Sequence, residues 1–147
     1  PDRINDLFLG EQRASVLPSN FIVKRRDGLI AYQLATAIDD LDEGYTHVIR
    51  GADLLDSSLR QMMIHQTLGR LSPEYGHLPI VTDQSGNKLS KQTGARAIDT
   101  GTPNTNLRRA LAFLGQPTPP DDMDCVEDIL HLATVNWRRD TLNSRNL

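Results

Sequence analysis

Short apolar runs alternate along the chain with stretches of helical periodicity. The runs contain β-branched or aromatic residues, and glycine, proline or aspartate lies close to most of them. Such runs predict strands, here at residues 4–9, 21–25, 29–32, 46–50 and 78–82. A tight polar turn is predicted at 83–87, directly after the last of them.

Apolar residues three and four positions apart predict helices in the intervening segments. Two of the predicted helices span 33–44 and 107–115. A third begins at a cap formed by Asp53 or Asp56 and ends at Gly69. A fourth spans 124–137, and Asp124 and Glu127 are predicted to form a capping box at its start. Residues 141–147 are expected to fray. This order predicts an α/β domain at 1–95 and a short helical region at 96–147.

Composition and charge narrow the classes of function. The 147 residues suffice for about one domain, and the formal net charge of −3 excludes a global basic field for nucleic acid. Any RNA contact must therefore be local. The single cysteine excludes an internal disulfide and a thiolate-rich zinc cluster within this chain, and it favours a reducing, cytoplasmic setting. The sequence has no apolar run near the roughly 20 residues that a membrane-spanning helix needs.

The most specific chemical signal is the loop KLSKQ, which follows a predicted strand and a glycine-containing turn. It consists of Lys88, Leu89, Ser90, Lys91 and Gln92. Two ammonium groups around a small hydroxyl suit a polyphosphate, because they stabilise charge that develops on a phosphoryl group. A solvated surface loop remains the alternative from these residues alone.

Tyr32 and Arg50 each lie near the carboxyl end of a predicted strand, where open α/β sheets collect their ligands. The guanidinium of Arg50 could hold a carboxylate, and the phenol of Tyr32 could orient it. In the alternative, Arg50 pairs with Asp53 or Asp56 and Tyr32 is half-buried core.

Weaker candidates are an acidic cluster and the histidines. Asp39, Asp40 and Asp42 could bind a divalent cation, although carboxylates at a helix end are more often solvated. The four histidines show no ligand spacing, which indicates structural or surface roles. They are His47, His65, His77 and His131.

Three sequence blocks together resemble the class I glutamyl-tRNA synthetase family. They are KRRDGLIAYQLA at 24–35, THVIRGADLLDS at 46–57 and KLSKQ at 88–92, and they occur in the family's order. The resemblance covers nearly the whole chain. It is strongest to the short glutamyl-Q branch of the family, because the 56 residues after Lys91 are too few for anticodon-binding domains.

The resemblance implies the second half of a Rossmann-type nucleotide-binding fold, followed by a small helical part. It also implies that glutamate is activated with ATP and Mg²⁺ and transferred to the queuosine base of tRNA(Asp), with no membrane or DNA partner. Tyr32 and Arg50 match glutamate-binding residues of the family. Lys91 matches the catalytic second lysine of the ATP-binding loop, which Lys88 and Ser90 shape.

The chain also departs from the family pattern. A His-x-Gly-His-type motif does not occur in it, and neither do the amino-terminal glutamate-binding residues or the zinc site of this subfamily. The chain is therefore expected to be a carboxyl-terminal portion that binds ATP poorly by itself, with any zinc in the other half. The alternatives are a piece of an ordinary glutamyl-tRNA synthetase and a non-catalytic module that binds tRNA or a protein.

Overall fold

The structure is a computed structural model that describes residues 2–13, 20–90 and 94–143. The chain forms two compact units, Pro1–Leu78 (the first unit) and Pro79–Leu147 (the second unit). Strands and helices alternate in the first unit and helices dominate the second, so the α/β prediction is confirmed. The contacts divide the chain earlier than the predicted boundary near residue 95, and they group the KLSKQ loop with the helical part.

A β-α-β motif forms the centre of the first unit. Strand β3 (His47–Gly51) leads through a single 3₁₀ turn (Ala52–Leu54) into helix α2 (Leu55–Thr67), and the chain returns as strand β4 (Glu74–Leu78). The two strands are parallel, with His47 opposite Glu74 and Gly51 opposite Leu78. A parallel pair needs such a crossover helix, which also covers one face of the sheet.

Helix α1 (Tyr32–Asp42) packs against α2, where the sequence predicts a helix at 33–44. Gly44 ends this segment in the left-handed region, with a φ of 71°. The apolar core lies between α2 and the strands. It contains Ile4, Leu59 and Tyr75, with Val48, Leu55 and Met62 packed against them.

The predicted strand at 4–9 is instead a hairpin of β1 (Arg3–Asp6) and β2 (Gly10–Arg13). The chain turns after β1 because the carboxylate of Asp6 accepts hydrogen bonds from the amides of Phe8 and Leu9, at 2.9 and 3.0 Å. A side chain that bonds to the amides just ahead of it competes with a continuing strand.

Three other strand predictions are wrong in extent. Residues 21–25 and 29–32 form only one bridge, between Lys24 and Ile30, around the turn at Gly28, and Tyr32 already belongs to α1. The strand predicted at 78–82 lies earlier, as β4. Proline at position 79 lacks the amide hydrogen that would continue the ladder.

Both predicted helix caps are wrong. Helix α2 begins after Leu54 without a side-chain cap hydrogen bond, because the preceding 3₁₀ turn runs directly into it. Helix α4 (Val126–Val135) has Cys125 at its amino-terminal cap, also without a side-chain cap bond. Glu127 accepts a hydrogen bond from the Cys125 thiol, and Asp124 accepts one from Asn104.

The second unit holds helix α3 (Pro103–Phe113), α4 and a short helix α5 (Asp140–Asn143). Arg108 donates hydrogen bonds to the carbonyls of Pro119, Pro120 and Met123, and so holds the proline-rich connection against α3. The prediction that the chain frays from 141 onward is wrong for Leu142, which is fully buried. Residues 144–147 lie outside the described residues.

Gly76 lies at a crowded backbone position of β4. A Cβ atom there would lie 2.7 Å from the ring of Phe8 and 2.8 Å from Cδ1 of Ile49. We expect Gly76→Ala to lower the free energy of unfolding by about 1–3 kcal/mol, because overpacking forces the ring or the strand to shift. Urea denaturation measures this change. Phe8→Leu in the same background should recover part of the loss, and an unchanged midpoint in the single variant would contradict the packing.

Within the described part of the chain, no helix has both the length and the apolar character required to cross a membrane.

Candidate active site

The carboxyl end of β3 carries Arg50, next to Gly51. In the parallel ladder Arg50 lies opposite His77, and Val48 lies opposite Tyr75. Side chains alternate between the two faces of a sheet, so these four side chains lie on one face. Helix α2 covers that face, and the strand ends are where ligands bind in open α/β sheets. Arg50 therefore lies at the end of the sheet where a ligand site is expected.

The guanidinium of Arg50 is held from two sides. Its Nε donates a hydrogen bond of 3.1 Å to Oγ of Ser58, and its Nη2 donates to the same oxygen. Its Cζ lies 4.8 Å from the centre of the Tyr75 ring, within the range of a cation–π contact. The sequence leaves pairing with Asp53 or Asp56 open, but the contacts of this guanidinium are with a hydroxyl and an aromatic face.

A chain of buried hydrogen bonds continues behind Ser58. Its hydroxyl lies 2.7 Å from Nε2 of His77, and Nδ1 of His77 lies 2.5 Å from Oδ2 of Asp6. All three side chains are buried, and those of Asp6 and His77 have no exposed surface. The chain therefore connects the turn after β1, strand β4 and helix α2 to Arg50.

Asp6 is ionised in its buried position. Burial raises the pKa of this carboxyl, but hydrogen bonds from the His77 ring and from the amides of Phe8, Leu9 and His77 outweigh it and place the pKa below its ordinary value. The carboxylate is thus fixed in place by backbone amides on one side and by an imidazole on the other.

Tyr75 forms the apolar side of the site. Burial raises the pKa of its phenol to about 12, and the nearby charge of Arg50 only partly opposes this. Its hydroxyl is buried, and it has no hydrogen-bond partner among the described residues. Tyr75 is therefore a neutral donor at physiological pH, and its ring supports the guanidinium of Arg50.

Tyr32 is the first residue of α1, and 53% of it is exposed. It is not half-buried core. Next to Tyr32, Gln33 donates a hydrogen bond of 3.0 Å to Ser57 and so ties the start of α1 to α2.

The KLSKQ loop begins at the end of a tight hairpin in the second unit. Thr82 bridges to Lys88, and the carboxylate of Asp83 accepts hydrogen bonds from the amides of Ser85 and Asn87. Hydrogen bonds from the backbone amides of Asn87 and Ser85, and from the side-chain amide of Asn87, hold the pKa of Asp83 below its ordinary value. The turn predicted at 83–87 is confirmed. Lys91 and Gln92 lie outside the described residues.

The acidic residues predicted as a weak cation site, Asp39, Asp40 and Asp42, lie on α1. Within 2–13, 20–90 and 94–143, no group of three or more metal-ligating side chains is suitably arranged. Burial raises the pKa of Asp40, against the opposing charges of Arg50 and His65. His65 uses Nδ1 for Ser72 and Nε2 for the carbonyl of Ala37, which is a packing role between the helices.

Comparison with known proteins identifies the family. Residues 4–136 match the family described as tRNA synthetases class I (E and Q), catalytic domain. The chain belongs to this family. The resemblance that the three sequence blocks indicate is thereby confirmed, and so is the fold class of a class I synthetase.

Relatives of this synthetase chain are similar over most of its length. A protein named glutamyl-Q tRNA(Asp) synthetase from Methylococcus capsulatus is 47% identical over 92% of the chain, and one from Colwellia psychrerythraea is 43% identical over 94%. The chain covers 48% and 46% of these two proteins, about half of their length.

Solved structures share the fold of this synthetase chain at lower identity. A glutamate tRNA ligase from Elizabethkingia meningosepticum, in complex with its amino acid, has a TM-score of 0.70 at 21% identity. A glutamate-tRNA synthetase from Elizabethkingia anophelis has a TM-score of 0.68 at 22% identity. Both alignments cover 98% of this chain and 33% of the other.

Sequence reasoning on this synthetase chain missed Asp6, Ser58, His77 and Tyr75. Asp6 and His77 are 71 positions apart, so spacing along the chain gives no signal for their contact. One signal was present for His77. If residues 74–78 are taken as a strand parallel to 47–51, His77 and Arg50 occupy equivalent fourth positions and must lie side by side.

Proposed function

We propose that this chain is the second half of the catalytic domain of an ATP-dependent ligase that attaches glutamate to the queuosine base of tRNA(Asp). The names of the relatives that are 43–47% identical support this proposal, as does the half-length match to them. The observation that carries it is the guanidinium of Arg50, held by Ser58 and Tyr75 at the carboxyl end of β3. A tRNA substrate implies that the ligase acts in the cytoplasm.

The proposed reaction has two steps. A carboxylate oxygen of the glutamate α-carboxyl attacks the α-phosphorus of Mg²⁺-bound ATP, and the bond to the bridging oxygen breaks to release pyrophosphate. A hydroxyl of queuosine then attacks the carbonyl of glutamyl-adenylate, loses its proton and releases AMP. The protein must therefore hold an amino acid with two carboxylates and a polyphosphate, and both groups call for fixed positive charge.

Arg50 and Tyr32 bind glutamate in this proposal. A planar guanidinium can hold a carboxylate through two parallel hydrogen bonds, which fixes orientation as well as charge. Tyr32, exposed at the start of α1, provides a phenol that can donate a hydrogen bond to a carboxylate. The exposed phenol of Tyr32 and the guanidinium of Arg50, which Ser58 and the Tyr75 ring hold, support this proposal.

The KLSKQ loop binds ATP in this proposal. The hairpin that Asp83 holds together ends at Lys88, where the loop begins. Closure of the loop would shield the phosphates from water. Lys91 is the catalytic group of the loop, and Lys88, Leu89, Ser90 and Gln92 complete its ATP-binding surface. The ammonium of Lys91 stabilises the charge that moves onto the leaving pyrophosphate.

Arg50→Ala tests the glutamate site in the complete polypeptide that contains this chain. We expect the KM for glutamate in ATP–pyrophosphate exchange to rise on the order of 100-fold, because a charge-assisted contact to the substrate is lost. The KM for ATP should change little. Arg70→Ala, at an exposed arginine after α2, is the matched control and should behave as wild type.

Charging assays decide the rest of the proposal. Glutamate should be transferred to queuosine-containing tRNA(Asp) and not to tRNA(Glu). Transfer to tRNA(Glu) would instead support an ordinary glutamyl-tRNA synthetase. If the complete wild-type polypeptide supports no glutamate-dependent exchange, the ligase proposal is wrong and a non-catalytic binding module takes its place.

A further inference from the structure

We propose that Asp6, His77 and Ser58 form a positioning chain that sets the orientation of the Arg50 guanidinium for the carboxylate of the amino acid substrate. The proposal rests on the proposed function of Arg50 and extends it to three buried residues. The observation behind it is a continuous series of side-chain hydrogen bonds that begins at the buried carboxylate of Asp6 and ends at Nε and Nη2 of Arg50.

The direction of each hydrogen bond follows from its partners. Asp6 is ionised and only accepts, so Nδ1 of His77 carries the hydrogen that it receives. The hydroxyl of Ser58 accepts from two guanidinium nitrogens, which use both of its lone pairs. Ser58 must then donate its single hydrogen, and Nε2 of His77 lies nearest, at 2.7 Å.

The opposite arrangement would require Ser58 to accept more hydrogen bonds than its hydroxyl can. If Nε2 of His77 carried a hydrogen, Ser58 would donate to the carbonyl of Leu54, at 3.2 Å, and would have to accept from His77 and twice from Arg50. A hydroxyl has two lone pairs and cannot accept three such bonds. The series of hydrogen bonds therefore has one consistent direction, in which Nε2 of His77 accepts the hydrogen bond that the Ser58 hydroxyl donates.

This arrangement leaves part of the guanidinium for a ligand. Ser58 occupies Nε and one hydrogen of Nη2, and the Tyr75 ring covers one face at 4.8 Å. Among the described residues, Nη1 has no hydrogen-bond partner. A neutral hydroxyl fixes the plane of the guanidinium without neutralising it, whereas a carboxylate at this position would compete with an anionic substrate.

The negative charge of Asp6 acts on Arg50 only through two intervening groups. The backbone amides of Phe8, Leu9 and His77 fix Asp6, so the chain is anchored to the hairpin and to β4. Buried hydrogen bonds in series polarise one another, which strengthens acceptance by Ser58. The guanidinium thereby gains a rigid acceptor, and the substrate carboxylate meets a preoriented cation.

Ser58→Ala in the complete polypeptide is the direct test. We expect the KM for glutamate in ATP–pyrophosphate exchange to rise about tenfold, because Arg50 loses its acceptor, while kcat and the KM for ATP change little. Ser58→Cys keeps a small side chain with one hydrogen to donate but substitutes a weak acceptor, and it should shift the KM in the same direction. Thermal unfolding of each variant shows whether the fold persists.

Ser72→Ala is the matched control. Ser72 makes the same kind of contact with the other buried histidine, 3.1 Å from Nδ1 of His65, and that contact does not lead to Arg50. It should cost comparable thermal stability and leave the KM for glutamate unchanged. Equal KM shifts for Ser58→Ala and Ser72→Ala would show a general loss of stability and would overturn the positioning role.

A double variant shows whether Ser58 acts through Arg50. In the Arg50→Ala background, Ser58→Ala should produce no further rise in the KM for glutamate, since residues that act in series are not additive. Fully additive effects would overturn the proposal. A rise for Arg50→Ala with none for either Ser58 variant would also overturn it and leave the proposed function intact. Absence of exchange in the wild type would instead remove the proposed function.

Discussion

Replacing Lys91 by alanine is expected to lower the kcat of glutamate-dependent ATP–pyrophosphate exchange by about 100- to 1,000-fold, the typical loss when one group that stabilises transition-state charge is removed. In the proposed role, the ammonium of Lys91 stabilises the negative charge as it moves from the α-phosphoryl group to pyrophosphate. Binding of glutamate should be nearly unaffected, since the lost interaction belongs to the transition state.

Two lysine variants calibrate this result. Lys24→Ala, at an exposed residue of the 24–30 turn, should retain wild-type exchange. Lys88→Ala should lie between the two, because the proposal gives Lys88 a part in shaping the loop and gives Lys91 the catalytic role. Wild-type kinetics in the Lys91 variant would refute the assignment of the loop, whatever the outcome for Arg50.

Replacing Asp6 by alanine is expected to lower the free energy of unfolding by about 3–5 kcal/mol, the range for removing one partner of a buried charged contact. The variant leaves the His77 ring and the amides of Phe8, Leu9 and His77 without their acceptor inside the fold. Urea denaturation at neutral pH measures the change. A loss below that of an ordinary surface substitution would contradict the role of this carboxylate.

Asp2→Ala is the matched control, because Asp2 is exposed and its 3.8 Å ion pair with Arg3 lies at the surface. It should change the stability by less than about 0.5 kcal/mol.

The pH dependence of stability gives a second measurement. The pKa of Asp6 is lower in the folded state, so its ionised form stabilises the fold above the unfolded value of about 3.9. This contribution is lost as the pH falls through the lower, folded pKa. The difference in stability between wild type and Asp6→Asn should therefore shrink as the pH falls from 7 toward about 3.

The helices were predictable because their signal is local. The stripes of apolar residues at 33–44 and 107–115 predicted α1 and α3, since one turn of a helix needs only neighbours three and four positions away. The caps were wrong because they depend on how the chain enters the helix. The 3₁₀ turn at Ala52–Leu54 replaced the expected cap of α2, and Cys125 replaced Asp124 at the start of α4.

The strands were harder to predict because a strand exists only through its partner. The apolar and β-branched residues at 46–50 predicted β3. The segment EYGHL at 74–78 has a central glycine and polar residues, so its sequence did not predict a strand. It forms β4 because β3 pairs with it and because Gly76 lets Phe8 and Ile49 approach. The apolar run at 78–82 looked more extended, yet Pro79 ends the ladder.

The sequence by itself determined the family, the α/β order of elements and the residues expected at the site, Tyr32, Arg50 and the KLSKQ loop, because short blocks of specific residues carry that information. Only the tertiary structure decided what holds Arg50. Asp6, Ser58 and His77 come from separate elements, and their contact depends on the register of β4 against β3 and on the turn after β1. Hydrogen bonds between distant segments form only when packing brings the segments together, so spacing along the chain cannot reveal them.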